Sequence, residues 1–62
     1  MTIAAKSVIA NISILDVNGR TLLEFAPKKK ETSIDLNAIP QGVYVVRIVC
    51  EEGVFNEELI KQ

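Results

Sequence analysis

The sequence predicts a small all-β fold, an antiparallel sandwich of five or six short strands, and three observations carry that expectation. Apolar residues recur with a period of two rather than 3.6. Turn formers divide the chain at Asn18-Gly19, at Pro27, from Pro40 to Gly42 and at Gly53. An apolar fraction of 48% in 62 residues supplies a core and excludes a disordered tail.

The first hairpin spans Asn11 to Phe25. Ile12 and Ile14 share one face, with Ser13 and Leu15 on the other, and Leu23 and Phe25 again share a face. Between them Asn18-Gly19 tolerates the positive φ of a type I′ turn. A two-residue loop sets Val17 opposite Arg20, Ile14 opposite Leu23 and Ile12 opposite Phe25. A three-residue loop with Gly19 as a bulge sets Ile12 opposite Glu24 instead. The two-residue loop keeps the apolar side chains on one face, although Asp16 suits the first position of the bulged turn.

Pro27 ends this hairpin. Lys28, Lys29 and Lys30 read as a solvated turn, with a docking patch for an acidic partner as the alternative. Thr32 to Leu36 alternates again, with Ile34 and Leu36 pointing one way. Pro40 and Gly42 then form a turn. Val43 to Cys50 is β-branched and nearly continuously apolar, which reads as a central strand covered on both faces. Glu52-Gly53 closes a second hairpin that pairs Cys50 with Phe55, Val46 with Leu59 and Arg47 with Glu58. The run from Glu57 to Gln62 is too short for a stable helix and reads as the final strand.

Size allows a single domain over residues 1–62. With 7 basic and 8 acidic residues the net charge is −1, which leaves no basic footprint for nucleic acid and no polybasic membrane anchor. The chain has no histidine and one cysteine, so neither a metal site nor a disulfide framework is expected. Cys50 lies in the most apolar strand, where a thiol is inert core. The carboxylates sit at turns and on polar strand faces, without a cleft to pair them. Gly19, Gly42 and Gly53 are isolated turn glycines, not a phosphate cradle. No catalytic and no cofactor-binding residues are therefore assigned. Phe25 and Phe55 read as core, while the Tyr44 hydroxyl needs a partner or water. No segment is apolar and long enough to span a bilayer as a helix. Lys6 and Ser7 interrupt Thr2–Ala10, so it is not a signal-peptide core. The chain is expected to be the C-terminal fragment of a larger exported protein whose signal peptide lies on the parent.

Two segments resemble a known family when taken together. Ile12-Ser13-Ile14-Leu15-Asp16-Val17-Asn18-Gly19-Arg20 is similar to the strand, Asp-x-x-Gly-Arg, strand signature of the C-terminal sorting domains of Bacteroidetes type IX secretion systems. Ile34 to Ile48 is similar to that family's leucine, Pro-x-Gly-x-Tyr and apolar-strand block. The matching residues are Asp16, Gly19 and Arg20 in the first motif and Pro40, Gly42 and Tyr44 in the second. Lys61 stands where the family's basic terminal residues cluster. The resemblance implies an immunoglobulin-like β-sandwich acting as a non-catalytic export signal. It implies as partners the outer-membrane secretion machinery, which recognises the domain, and a sortase-like peptidase, which removes it. The destination is the cell surface, by way of the periplasm and outer membrane. Three features depart from the pattern. The opening segment with its Asn-Pro turn is missing or reduced to Thr2–Ala10, so the sandwich is expected to be N-terminally shortened. Glu57 and Glu58 stand where lysines are frequent, and Cys50 lies outside the pattern. A shortened sandwich leaves an open edge, which offers a homodimer through edge strands. The competing function is a structural or adhesive module kept permanently on a surface protein.

Overall fold

A computed structural model describes all 62 residues. Five strands follow in order: β1 (Thr2–Leu15), β2 (Thr21–Phe25), β3 (Lys29–Ser33), β4 (Gly42–Cys50) and β5 (Gly53–Lys61), with a short 3-10 helix at Leu36–Ala38 between β3 and β4. All pairings are antiparallel, and the sheet order is β2-β1-β4-β5, with β3 also paired to β1.

β1 organises the fold. It starts at Thr2, nine residues before the expected Asn11, so the opening segment is a full half of the longest strand. The inward phase changes along it: Ile3 and Ile9 are buried in the first half, Ile12 and Ile14 in the second. An odd-to-even switch needs one extra residue, and the β1–β4 register shifts between Ile9 and Asn11. Ala10 is that residue, a bulge that re-aims the side chains after it. Ile9 pairs with both Lys29 of β3 and Cys50 of β4, so those strands flank β1 on opposite edges. β2 and β3 therefore follow one another along a single edge of β1. Between them lies Pro27, which has no N–H to donate. Lys28 makes the corner at φ 54 and donates its N–H to the Ile9 carbonyl.

Two expected registers and the bounds of one strand are corrected. In the first hairpin Ile12 pairs with Phe25 and Ile14 with Leu23, but Leu15 pairs with Thr21, and the register shifts between Ile14 and Leu15. Near the turn the chain adopts the three-residue loop, with Asp16 rather than Val17 opposite Arg20. A bulge at Leu22 then restores the apolar pairs. β3 occupies Lys29–Ser33 instead of Thr32–Leu36, so two of the three lysines are strand residues. In the second hairpin the loop is Glu51-Glu52, and Cys50 pairs with Gly53, Arg47 with Asn56 and Val46 with Glu57. The expected Arg47–Glu58 pair is absent. Gly53 has φ 141 and opens β5 instead of lying in the loop.

The core is one cluster: Ile3, Ile9, Ile12, Ile14, Ile34, Ile39, Tyr44, Val46 and Ile48. Ile3 and Ile34 lie far from β4 in sequence yet share this cluster, so the start of β1 and the chain after β3 fold over the inner side of β4. Cys50 is buried with a free thiol, and Phe25 packs against the cluster. Phe55 does not; it is 48% exposed. β4 is central but not covered on both faces. Tyr44, Val46, Ile48 and Cys50 face inward, while Val43 and Val45 are exposed.

Candidate recognition surface

The first motif builds a turn. Asp16 is its keystone: Oδ1 accepts the backbone N–H groups of Asn18 at 2.9 Å and Arg20 at 3.0 Å. Two backbone bonds close the loop, Gly19 N–H to Asp16 O at 3.0 Å and Asp16 N–H to Arg20 O at 2.9 Å. Gly19 takes φ 86, a region that penalises any side chain with a Cβ. Arg20 Nε meets Asp16 Oδ2 at 3.1 Å, but the Arg20 side chain is largely exposed, so this ion pair adds little stability.

The Arg20 N–H holds the Asp16 carboxyl below its ordinary pKa, helped by the Asn18 N–H and the Arg20 charge and opposed by partial desolvation. The sign follows from linkage. The unfolded carboxyl, near ~3.9, binds a proton before the folded one does, so the contribution is full above that pH and is lost as pH falls through the folded value. The Tm advantage of the wild type over Asp16→Asn should therefore shrink as a thermal-melt series is taken below about pH 4. An equal gap from neutral to strongly acid pH would refute this role.

The second motif closes the opposite corner of the same end. The Tyr44 hydroxyl donates to the Pro40 carbonyl. Gly42 lies under the Tyr44 ring, where an added Cβ would stand 3.5 Å from the hydroxyl oxygen. Asp35 caps the 3-10 helix by accepting the Asn37 N–H at 2.9 Å. Lys61 Nζ then donates to the carbonyls of Leu36 at 2.5 Å and Ile39 at 2.6 Å, fastening the end of β5 to that helix.

Register places the two corners together. Leu15 pairs with Val45 and Gly42 with Lys61, so Asp16, Gly19, Arg20, Pro40, Gly42, Tyr44 and Lys61 all lie at one end of the sheet. The contacts described for Asp16, Tyr44 and Lys61 are made within the chain.

Sequence reasoning missed the open face of the β4–β5 hairpin. Cross-strand pairs set Val43 beside Ile60 and Val49 beside Val54 on the face opposite the core. Val54 is 57% and Ile60 59% exposed, with Val43 and Val45 also exposed. The outward valines at alternate positions were the available signal.

A family model for the secretion system C-terminal sorting domain matches residues 1–62. The chain belongs to this family. The match covers Thr2–Ala10 as well as the two motif segments. No curated protein and no solved structure matches the chain. The sorting domain is thus a non-catalytic signal of the type IX secretion system, and the family marks proteins secreted to the cell surface.

Proposed function

We propose that the secretion machinery reads the terminal β4–β5 hairpin of the sorting domain, while Pro40, Gly42, Tyr44 and Lys61 hold that hairpin in place and Asp16, Gly19 and Arg20 shape the β1–β2 turn at the same end. The observation that carries this is the exposure of β5. Nine residues long and last in the sheet, it presents an unpaired edge beside exposed apolar side chains, Val43, Val45 and Ile60 at one end of the outer face and Val54 at the other, with Arg47, Asn56 and Glu58 between them. Apolar side chains exposed next to an open edge suit an interaction site, and strand addition supplies backbone hydrogen bonds in register. The motif residues make the turns and clamps of that end of the sheet, so their effect on recognition passes through shape.

An immunoglobulin-like sandwich is the finer reading of the fold. Two features support it. The bond from Tyr44 back to Pro40 resembles the tyrosine corner of such sandwiches. The shortest dimension, 15 Å, leaves room for two layers about 10 Å apart. The same edge also suits a homodimer. With Leu59 opposite its own copy, Glu57 meets Lys61 of the second copy, whose ammonium keeps one proton free. Sedimentation at high micromolar concentration should give twice 6.8 kDa, and a monomer there excludes the pairing.

Fusing residues 1–62 to a periplasmic reporter in a type IX-competent bacterium should deliver it to the surface. Retention in the periplasm with the domain intact and folded would contradict the reading. Intact mass of the delivered reporter tests removal by a sortase-like peptidase. Loss of the domain supports a signal, and its persistence supports a retained adhesive or structural module.

A further inference from the structure

Glu57 is on the wrong side of the sheet for a charged residue. It pairs with Val46, so its side chain leaves the sheet on the face where Val46 is completely buried. It is nonetheless exposed, as is Phe55 two residues earlier on the same face, because nothing covers β5 there.

What lies over that face is a groove. A cavity of about 390 Å³ is walled by Ala4, Ala5 and Lys6 of β1 on one side and by Ile48, Phe55 and Glu57 of the terminal hairpin on the other. A second cavity of about 290 Å³ shares Ala4, Ile48 and Glu57 with it and continues the groove toward Thr2 and Glu58. One wall is an unpaired strand edge. β4 stops pairing with β1 at Ile9–Cys50, and β3 lies on the other edge, so Thr2–Val8 has no neighbour on the groove side.

We propose that the groove takes an extended segment of a partner protein as an added strand beside β1, with a lysine or arginine of that segment against Glu57. Charge selects the occupant. Glu52 and Glu57 line the groove, with Glu58 at its rim, against Lys6 and the Met1 ammonium, so the balance is acidic and Glu57 favours a basic residue over an acidic one. Ile48 and Phe55 provide an apolar floor for the residues in phase with it. An inward charge on an edge strand also blocks unwanted pairing, but that role leaves the free edge of β1 unaccounted for. The inference is independent of how the outer face of the hairpin is used.

The probe is a blocked heptapeptide alternating valine and threonine, with one central lysine in phase with the valines, titrated into the ¹⁵N-labelled chain. A second peptide carries glutamate in place of lysine. Shift changes should centre on Ala4, Ala5, Lys6, Ile48, Phe55 and Glu57, with slowed amide exchange in Ala4–Val8. The glutamate peptide should bind at least tenfold more weakly, and Glu57→Lys, whose spectrum reports whether it is folded, should reverse the preference. Four results would each overturn the proposal: equal affinity for both peptides, shifts confined to Val43, Val54 and Ile60, concentration-dependent groove shifts without peptide from a second copy, or no response at millimolar peptide.

Discussion

Tyr44→Ala should leave the domain largely unfolded at 25 °C. Tyr44 is 5% exposed, belongs to the core cluster and ties its hydroxyl to the Pro40 carbonyl. Truncating a buried aromatic residue to alanine costs ~3–5 kcal/mol. By size alone a chain of 62 residues has a total stability of about 3–9 kcal/mol, and a domain this small, burying little of its surface, lies toward the low end, where the loss consumes most or all of it. Tyr44→Phe separates the two contributions. It keeps the ring and leaves the Pro40 carbonyl short of a donor, at a cost of ~1–3 kcal/mol. Urea titrations followed by circular dichroism should show no folded baseline for Tyr44→Ala and a lowered midpoint with unchanged slope for Tyr44→Phe. A phenylalanine variant as stable as the wild type would show that the bond to Pro40 contributes nothing. An alanine variant within 1 kcal/mol, roughly the median single substitution, would show that this corner is not part of the core.

Ile14→Ala should destabilise the domain by ~2–5 kcal/mol. Ile14 is fully buried and stands between Leu23 of β2 and Val46 of β4, so it joins three strands at one point. Val17→Ala is the informative comparison, because Val17 is three residues away, equally β-branched, and 75% exposed in the turn. That change should stay within about 0.5 kcal/mol. Similar losses at both positions, read from the same urea titrations, would contradict the bulged hairpin and return Val17 to a paired position opposite Arg20.

The sequence revealed the strands better than their registers, for a definite reason. Alternation in Ile12, Ile14, Leu23 and Phe25 set which residues pair, because a slip of one would send all four to solvent. A slip of two keeps every side chain on its face. The pattern therefore could not separate the expected Arg47–Glu58 pairing from the observed Arg47–Asn56. The turn decides instead, with Gly53 at φ 141 starting the strand. The first half of β1 was hidden by its bulge at Ala10, which interrupts the period-two signal. At the candidate surface, Asp16 and Arg20 were readable because their contacts are four residues apart. The Lys61 clamp was not, since its carbonyl partners lie 25 and 22 residues earlier.

The central claim is that the hairpin's outer face is what the secretion machinery reads. The direct measurement is the surface fraction of a reporter fused to residues 1–62 bearing Val54→Thr and Ile60→Thr together. Both side chains are exposed and outside the core cluster, so the Tm should not change. Surface delivery should fall at least tenfold, with folded fusion accumulating in the periplasm. Delivery equal to that of the unaltered domain would contradict it.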